Sequence, residues 1–213
     1  MAVLKALLFG IGAGATVLVA GGGPGFLQGP VGPYYLALWV AWWMVVAAGR
    51  QRGTPSQYDD RSRWLTVAYD LTALVLVVVP PWEYVNFSGP IPRDGRLAAA
   101  GLCLFAVSIL VQSAAMWELR GFYTSRLGIQ PRHRLVTSGL YGVVRHPGYL
   151  SNMMALAGIG FALGSVVGLM LALLTVPLIL ERIDREEEML LAEFGAAYRD
   201  YVRRTSRLVP GIY

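Results

Sequence analysis

The sequence predicts an all-α protein: a polytopic bundle of membrane helices with four full spans, one helical hairpin and a cytoplasmic C-terminal helix. Three observations carry this reading. Of the 213 residues, 55% are hydrophobic and only 15% charged, against roughly 25% charged in ordinary soluble domains, and the mean hydropathy is +0.52. Uncharged or nearly uncharged runs recur at 6–20, 34–49, 65–81, 97–116 and 150–180, several of them close to the roughly 20 residues that cross a bilayer core as a helix. Arginines crowd alternate connections, as the positive-inside rule requires of a multi-pass chain. Lipid offers no partner to free backbone groups, so the runs are expected to be helices.

Run 6–20 follows Lys5, which places the N-terminus on the cytoplasmic side. The same stretch has the outline of a signal peptide, with Ala20-Gly21 as its small-residue cleavage region, but four later membrane segments favour an ordinary anchor. Within it, Gly10-Ile11-Gly12-Ala13-Gly14 superficially resembles a dinucleotide loop. No strand precedes it and the third glycine is misplaced. The Gly10 to Gly14 spacing suits close packing of helices in lipid.

The loop 50–63 carries Arg50, Arg52, Arg61 and Arg63, so it belongs to the cytoplasmic side with the termini. Run 65–81 contains Asp70, a costly carboxylate inside an apolar segment and by default a functional candidate. Its nearness to Leu65 puts Arg61 or Arg63 within reach, so a structural pair and a substrate contact both stand open. The connections at 21–33 and 82–96 hold only Arg93 and Arg96. Run 97–116 carries the lone cysteine, Cys103, expected as a small packing residue; one cysteine excludes a disulfide framework.

Segment 117–149 returns to the basic side with Arg120, Arg126, Arg132, Arg134 and Arg145, and the tail adds Arg182, Arg185, Arg199, Arg203, Arg204 and Arg207. Run 150–180 lies between two basic flanks, so both its ends face the same side. At about 1.5 Å per residue it measures roughly 46 Å, too long for one span. It is expected to fold as a hairpin turning near Gly164-Ser165, its arms too short to cross fully. The whole chain, 1–213, reads as one domain with a membrane part (1–116) and a part bearing the candidate chemistry (117–213). A basic pI in this setting reflects topology and anionic headgroups, with no nucleic-acid partner implied. Two histidines make a metal centre improbable.

Two polar clusters border the hairpin. The first runs from Gly139 through Tyr141, Arg145, His146 and Pro147 to Tyr149; the second holds Arg182, Glu186-Glu187-Glu188, Leu190, Phe194-Gly195, Tyr198 and Tyr201. From about residue 126 onward the chain resembles the isoprenylcysteine carboxyl methyltransferase family, and more broadly the membrane methyltransferases that include phospholipid N-methyltransferases. The resemblance rests on Leu135-Val136-Thr137-Ser138-Gly139 with Tyr141, Arg145-His146-Pro147 with Tyr149, Arg182, Glu186-Glu187, Leu190, Phe194-Gly195, Tyr198, Tyr201, Arg204 and Val209-Pro210. Leu140 stands where many relatives have proline, a departure expected only to loosen the turn.

The resemblance implies S-adenosyl-L-methionine bound on the cytoplasmic side by His133, Arg134, Leu135, Val136, Tyr141, His146, Pro147, Gly148, Tyr149 and Glu186. It implies Arg182 as the catalytic, substrate-facing residue, and a lipophilic or lipidated acceptor arriving from the bilayer; the chain is expected in a bacterial inner membrane with its termini and site on the cytoplasmic side. The position of Arg126 is usually a glutamine in the prenylcysteine enzymes. The side-chain chemistry is compatible: tyrosine faces hold a sulfonium cation at about 0.5–2 kcal/mol each. Glu186 can accept from ribose or amino group, and Arg134 or Arg145 can fork onto a carboxylate. Leu190, Phe194, Tyr198 and Tyr201 recur at helical steps, so they are expected to share one face over the cofactor.

Arg182 favours an anionic acceptor, and no residue stands out as a general base; a carboxylate, ionised at neutral pH, therefore fits better than an ammonium. An amine-bearing phospholipid and a small thiol remain open. So do an NADPH-dependent sterol-type reductase, whose motif usually sets an asparagine before the tyrosine where this chain has Gly148, and a non-enzymatic scaffold.

Overall fold

In a computed structural model of the chain, the residues described are 10–12, 14–19, 21, 23–49, 57–58, 63–93, 95–119, 122–123, 128–129 and 134–211. The helices are α1 (Pro24–Gln28), α2 (Gly32–Gly49), α3 (Arg63–Asn86), α4 (Gly95–Leu119), α5 (Pro147–Leu163), α6 (Val166–Phe194) and α7 (Ala196–Val202), with a 3-10 turn at Gly139–Gly142. One departure from all-α is a two-residue antiparallel pairing, Gln57–Tyr58 with Gly128–Ile129.

Among the described residues α2, α4 and α6 are long and apolar enough to cross a membrane. This is a multi-pass membrane helix bundle. The hairpin turns where the sequence places it: Gly164 ends α5 at φ 57°, and Ser165 caps α6 by accepting from Gly168 N at 2.8 Å. Glycine adopts that left-handed geometry without the Cβ penalty of other residues. The expectation of two short arms needs correction. The second arm, α6, has 29 residues, about 44 Å at 1.5 Å each, because the helix continues past Leu180 into the charged segment. Arg185 supports that extension, pairing at 3.0 Å with Glu181 and at 3.9 Å with Glu188.

The core lies between α2, α4 and α5. Tyr35 stacks on Trp39, Phe26 meets Tyr35 edge-on, and Phe105 fits between Tyr35 and Trp39. Glycines let α4 and α5 touch backbone to backbone: a Cβ on Gly101 would collide with Ala162, and one on Gly158 would stand 2.8 Å from Phe105 N. Without a hydrophobic drive between helices in lipid, such close approach supplies the packing. Gly10 and Gly14 lie against the side chains of Met44 and Val40 of α2, a close helix contact that their spacing predicts. Cys103 is exposed on α4, so it is no packing residue. Asp70 falls within α3, but its side chain lies outside the described residues, as do those of Arg61 and Arg63.

Behind Gly195, at φ 53°, the chain leaves α6 and restarts as α7. The single face predicted for Leu190, Phe194, Tyr198 and Tyr201 is therefore broken between the second and third of them. Tyr198 and Tyr201 are buried from a separate short helix. The segment after α7 lies along residues 143–146: Arg145 N donates to Ser206 O (2.9 Å), Ser206 N to Val143 O (3.0 Å) and His146 N to Arg207 O (3.2 Å).

Candidate cofactor and substrate site

The two polar clusters, some forty positions apart in sequence, meet where the first turn of α5 crosses the charged extension of α6. Pro147 occupies the first turn of α5, where its missing N–H costs nothing. That start aims Tyr149 at α6. Arg182 Nε donates to the Tyr149 hydroxyl at 3.0 Å, with the guanidinium 5.9 Å from the ring centre, and the hydroxyl lies in the field of the Glu186 carboxylate. Arg182 is only 7% exposed. A buried guanidinium is sustained only by such charge-assisted partners.

Tyr141 approaches from the 3-10 turn. Burial, then the charge of Glu186, raises its phenol well above the ordinary value, so it stays protonated. Its carbonyl accepts from the Tyr201 hydroxyl at 2.7 Å. Glu118, near the end of α4, accepts from Leu140 N at 2.9 Å. Leu140 thus adds an anchor that a proline lacks, and does not loosen the turn.

A second group surrounds Glu187. Its carboxylate takes Arg145 Nε at 2.8 Å, His146 Nε2 at 3.1 Å and Arg207 at 3.0 Å, and Arg207 also pairs with Asp184. Glu187 lies beyond the apolar part of α6. Burial pushes its carboxyl up, but hydrogen bonds and charge from His146 and Arg145 outweigh this and hold it at about 2. Arg145 also donates to the carbonyls of Val202 (3.2 Å) and Thr205. These residues, with Ser206, Arg207 and Gly211, line an open depression of about 640 Å³.

The structure thus joins Tyr141, Tyr149, Arg182 and Glu186, with Pro147 and Gly148 at the α5 start. It engages His146 and Arg145 with Glu187, so both serve the C-terminal segment as well as any ligand. Arg134, Leu135 and Val136 lie in the extended stretch before the turn, Arg134 exposed. His133 and Arg126 lie outside the described residues.

Sequence reasoning missed Glu118 and a buried polar chain, and it gave Glu187 no role apart from its neighbours. In that chain Ser151 donates to Gln112, and Gln112 Nε2 donates to the Tyr123 hydroxyl at 3.0 Å. Gln112 is 1% exposed, and an amide in an apolar run was a legible signal. Glu187 was not separable from its acidic neighbours by spacing alone. Among the described residues, no group of three metal-ligating side chains is present.

One observation bears on whether a polar cofactor fits here. Among the described residues, the Tyr198 hydroxyl is buried without a hydrogen-bond partner, on a residue 2% exposed, and it lies in the field of Glu187, Arg145 and Glu186. An orphaned buried hydroxyl costs about 1–3 kcal/mol unless something engages it. With tyrosine faces and carboxylates at hand, the group suits a ligand carrying hydroxyls and a cation.

Fold and side-chain geometry together define a polytopic membrane protein with a polar cluster at the arginine-rich end of its bundle. Residues 99–192 match the isoprenylcysteine carboxyl methyltransferase (ICMT) family. The eukaryotic intramembrane Ras methyltransferase ICMT superposes with a TM-score of 0.59 at 20% identity, over 92% of this chain and 73% of that one. Methanethiol S-methyltransferase 2 of Bradyrhizobium diazoefficiens is 28% identical over 156 residues, covering 68% of this chain and 59% of the relative. Protein-S-isoprenylcysteine O-methyltransferase of Dictyostelium discoideum is 29% identical over 157 residues, covering 66% and 60%. These alignments thus span about 60% of the length of those two relatives. The likeness to the isoprenylcysteine carboxyl methyltransferase family thus lies in residues 99–192.

Proposed function

We propose that this protein is a membrane methyltransferase that uses S-adenosyl-L-methionine and acts on a lipophilic acceptor, best a carboxylate such as that of a prenylcysteine. The observation that carries the reading is the grouping of buried Arg182, bonded to the Tyr149 hydroxyl, with Glu186 acting on that same hydroxyl. It sets a cation and a carboxylate on adjacent turns of one helix, so groups of opposite charge can be held side by side. The cofactor supplies an activated methyl group on a sulfonium centre. Glu186 would accept from its hydroxyl or amino groups, Tyr141 and Tyr149 would face its cation, and Tyr198 would donate its orphaned hydroxyl. His146, Pro147 and Gly148, with His133, Arg134, Leu135 and Val136 from the preceding stretch, complete the proposed cofactor set.

Arg182 would orient the acceptor. An ionised carboxylate needs no base, which accords with the absence of a dedicated one from this reading; alignment and exclusion of water then supply the catalysis. The name of the Bradyrhizobium relative supports a thiol as the second candidate acceptor. Four spans plus the hairpin, both termini and the site on the cytoplasmic face of a bacterial inner membrane, complete the reading.

Calorimetry on the detergent-solubilised protein tests it. S-adenosylhomocysteine should bind and NADPH should not; the reverse assigns a reductase. Glu186→Ala should weaken binding, while Arg182→Ala should lower turnover with cofactor affinity nearly kept and Arg182→Lys should rescue only partly. Equal loss of cofactor affinity in both alanine variants makes Arg182 a support for Glu186. A panel of prenylated cysteine acid, short-chain thiol and aminophospholipid then decides the acceptor.

A further inference from the structure

Glu118 sits in the last turn of α4, which holds no basic residue. The carbonyl end of a helix repels negative charge there, so the carboxylate needs partners elsewhere. It finds them in the backbone of the 3-10 turn. Leu140 N donates to both its oxygens, at 3.0 and 2.9 Å, and Tyr141 N stands 3.5 Å away. Gly139 makes this possible twice over. Its φ of 58° swings the following N–H groups toward one point, and a Cβ there would collide with the Glu118 carboxylate. Successive N–H groups arranged in this way form a concave anion seat, and the protein fills it with its own side chain.

From the other side, the Tyr201 hydroxyl holds the Tyr141 carbonyl. The turn is thus clamped between α4 and α7, and the phenol of Tyr141 is left buried in the field of Glu186. We infer that Glu118 is a positioning residue: its carboxylate, seated on the Gly139-Leu140-Tyr141 backbone, sets where Tyr141 stands in the binding site without touching the ligand. This rests on the proposed cofactor reading for its effect on binding; the clamp itself can be tested apart from it.

Three variants serve: Glu118→Gln, which keeps the shape and removes the charge; Leu140→Pro, which removes the chief donor; and the double variant. Hydrogen exchange in the unliganded protein should show the Leu140 amide protected in the wild type and faster in Glu118→Gln. Equal protection overturns the clamp. Titration with S-adenosylhomocysteine should show affinity reduced about tenfold in each single variant, the loss expected for one charge-assisted hydrogen bond. The double variant should be hardly weaker than the worse single one, because both remove the same contact.

A merely structural role predicts a lower melting midpoint with unchanged affinity well below it. That result, or fully additive losses, overturns the positioning role. If the wild type itself fails to bind S-adenosylhomocysteine, the cofactor reading fails and the effect on binding falls with it, while the exchange experiment still decides the clamp.

Discussion

Replacing Glu187 by glutamine tests the most connected carboxylate in the site. The side chain is 20% exposed and serves Arg145, His146 and Arg207. Folding moves its pKa from 4.5 to about 2, which at about 1.36 kcal/mol per unit corresponds to roughly 3 kcal/mol. Solvent screening of a partly exposed group reduces this to about 1–2 kcal/mol. The sign follows from linkage: a depressed carboxyl contributes fully above its unfolded value and loses that contribution as pH falls through its folded one. The wild type should therefore exceed Glu187→Gln in melting temperature by about 2–8 °C at pH 7. That gap should narrow from about pH 4.5 and close near pH 2. Thermal unfolding in detergent across that range, followed by intrinsic fluorescence, measures it. A gap that is absent at pH 7, or that stays constant down to pH 2.5, refutes the ionised clasp between α6 and the C-terminal segment.

Three further outcomes are expected. Tyr201→Phe removes the 2.7 Å bond to the Tyr141 carbonyl and should cost about 1–2 kcal/mol, seen as a lower melting midpoint, with weaker binding of S-adenosylhomocysteine. Gly164→Ala forces a side chain into φ 57° beside Arg93, at a cost of about 1–2 kcal/mol. It lies at the hairpin turn, away from the binding cluster, so calorimetry should return wild-type ligand affinity. Gly158→Val drives a side chain into the backbone of α4 at Phe105, and the yield of folded protein extracted from membranes should collapse; normal yield and midpoint would show that the two helices need no such approach.

Hydropathy made the helical class legible, because a backbone in lipid has to satisfy its own hydrogen bonds within each segment. The hairpin turn at Gly164-Ser165 was legible from charge, because two basic flanks put both ends of the long apolar run on one side. The pairing of the two polar clusters showed only as a resemblance. Periodicity carried no warning that Gly195 would split the face of Leu190, Phe194, Tyr198 and Tyr201, since a glycine within a helical pattern specifies a left-handed φ only once the chain beyond it has somewhere to dock.

The sequence by itself determined a multi-pass helical bundle and the residue types from which a site is built. Only the tertiary structure decided which acid meets which base. Glu186 and Glu187 are adjacent in sequence, but a turn of 100° per residue sends the first to Tyr149 and the second to Arg145, His146 and Arg207. Glu118 carries no signal of its own in the sequence; the Gly139 turn brings backbone amides to its carboxylate. Those partners come from elements that approach through packing, and local sequence holds no record of the approach.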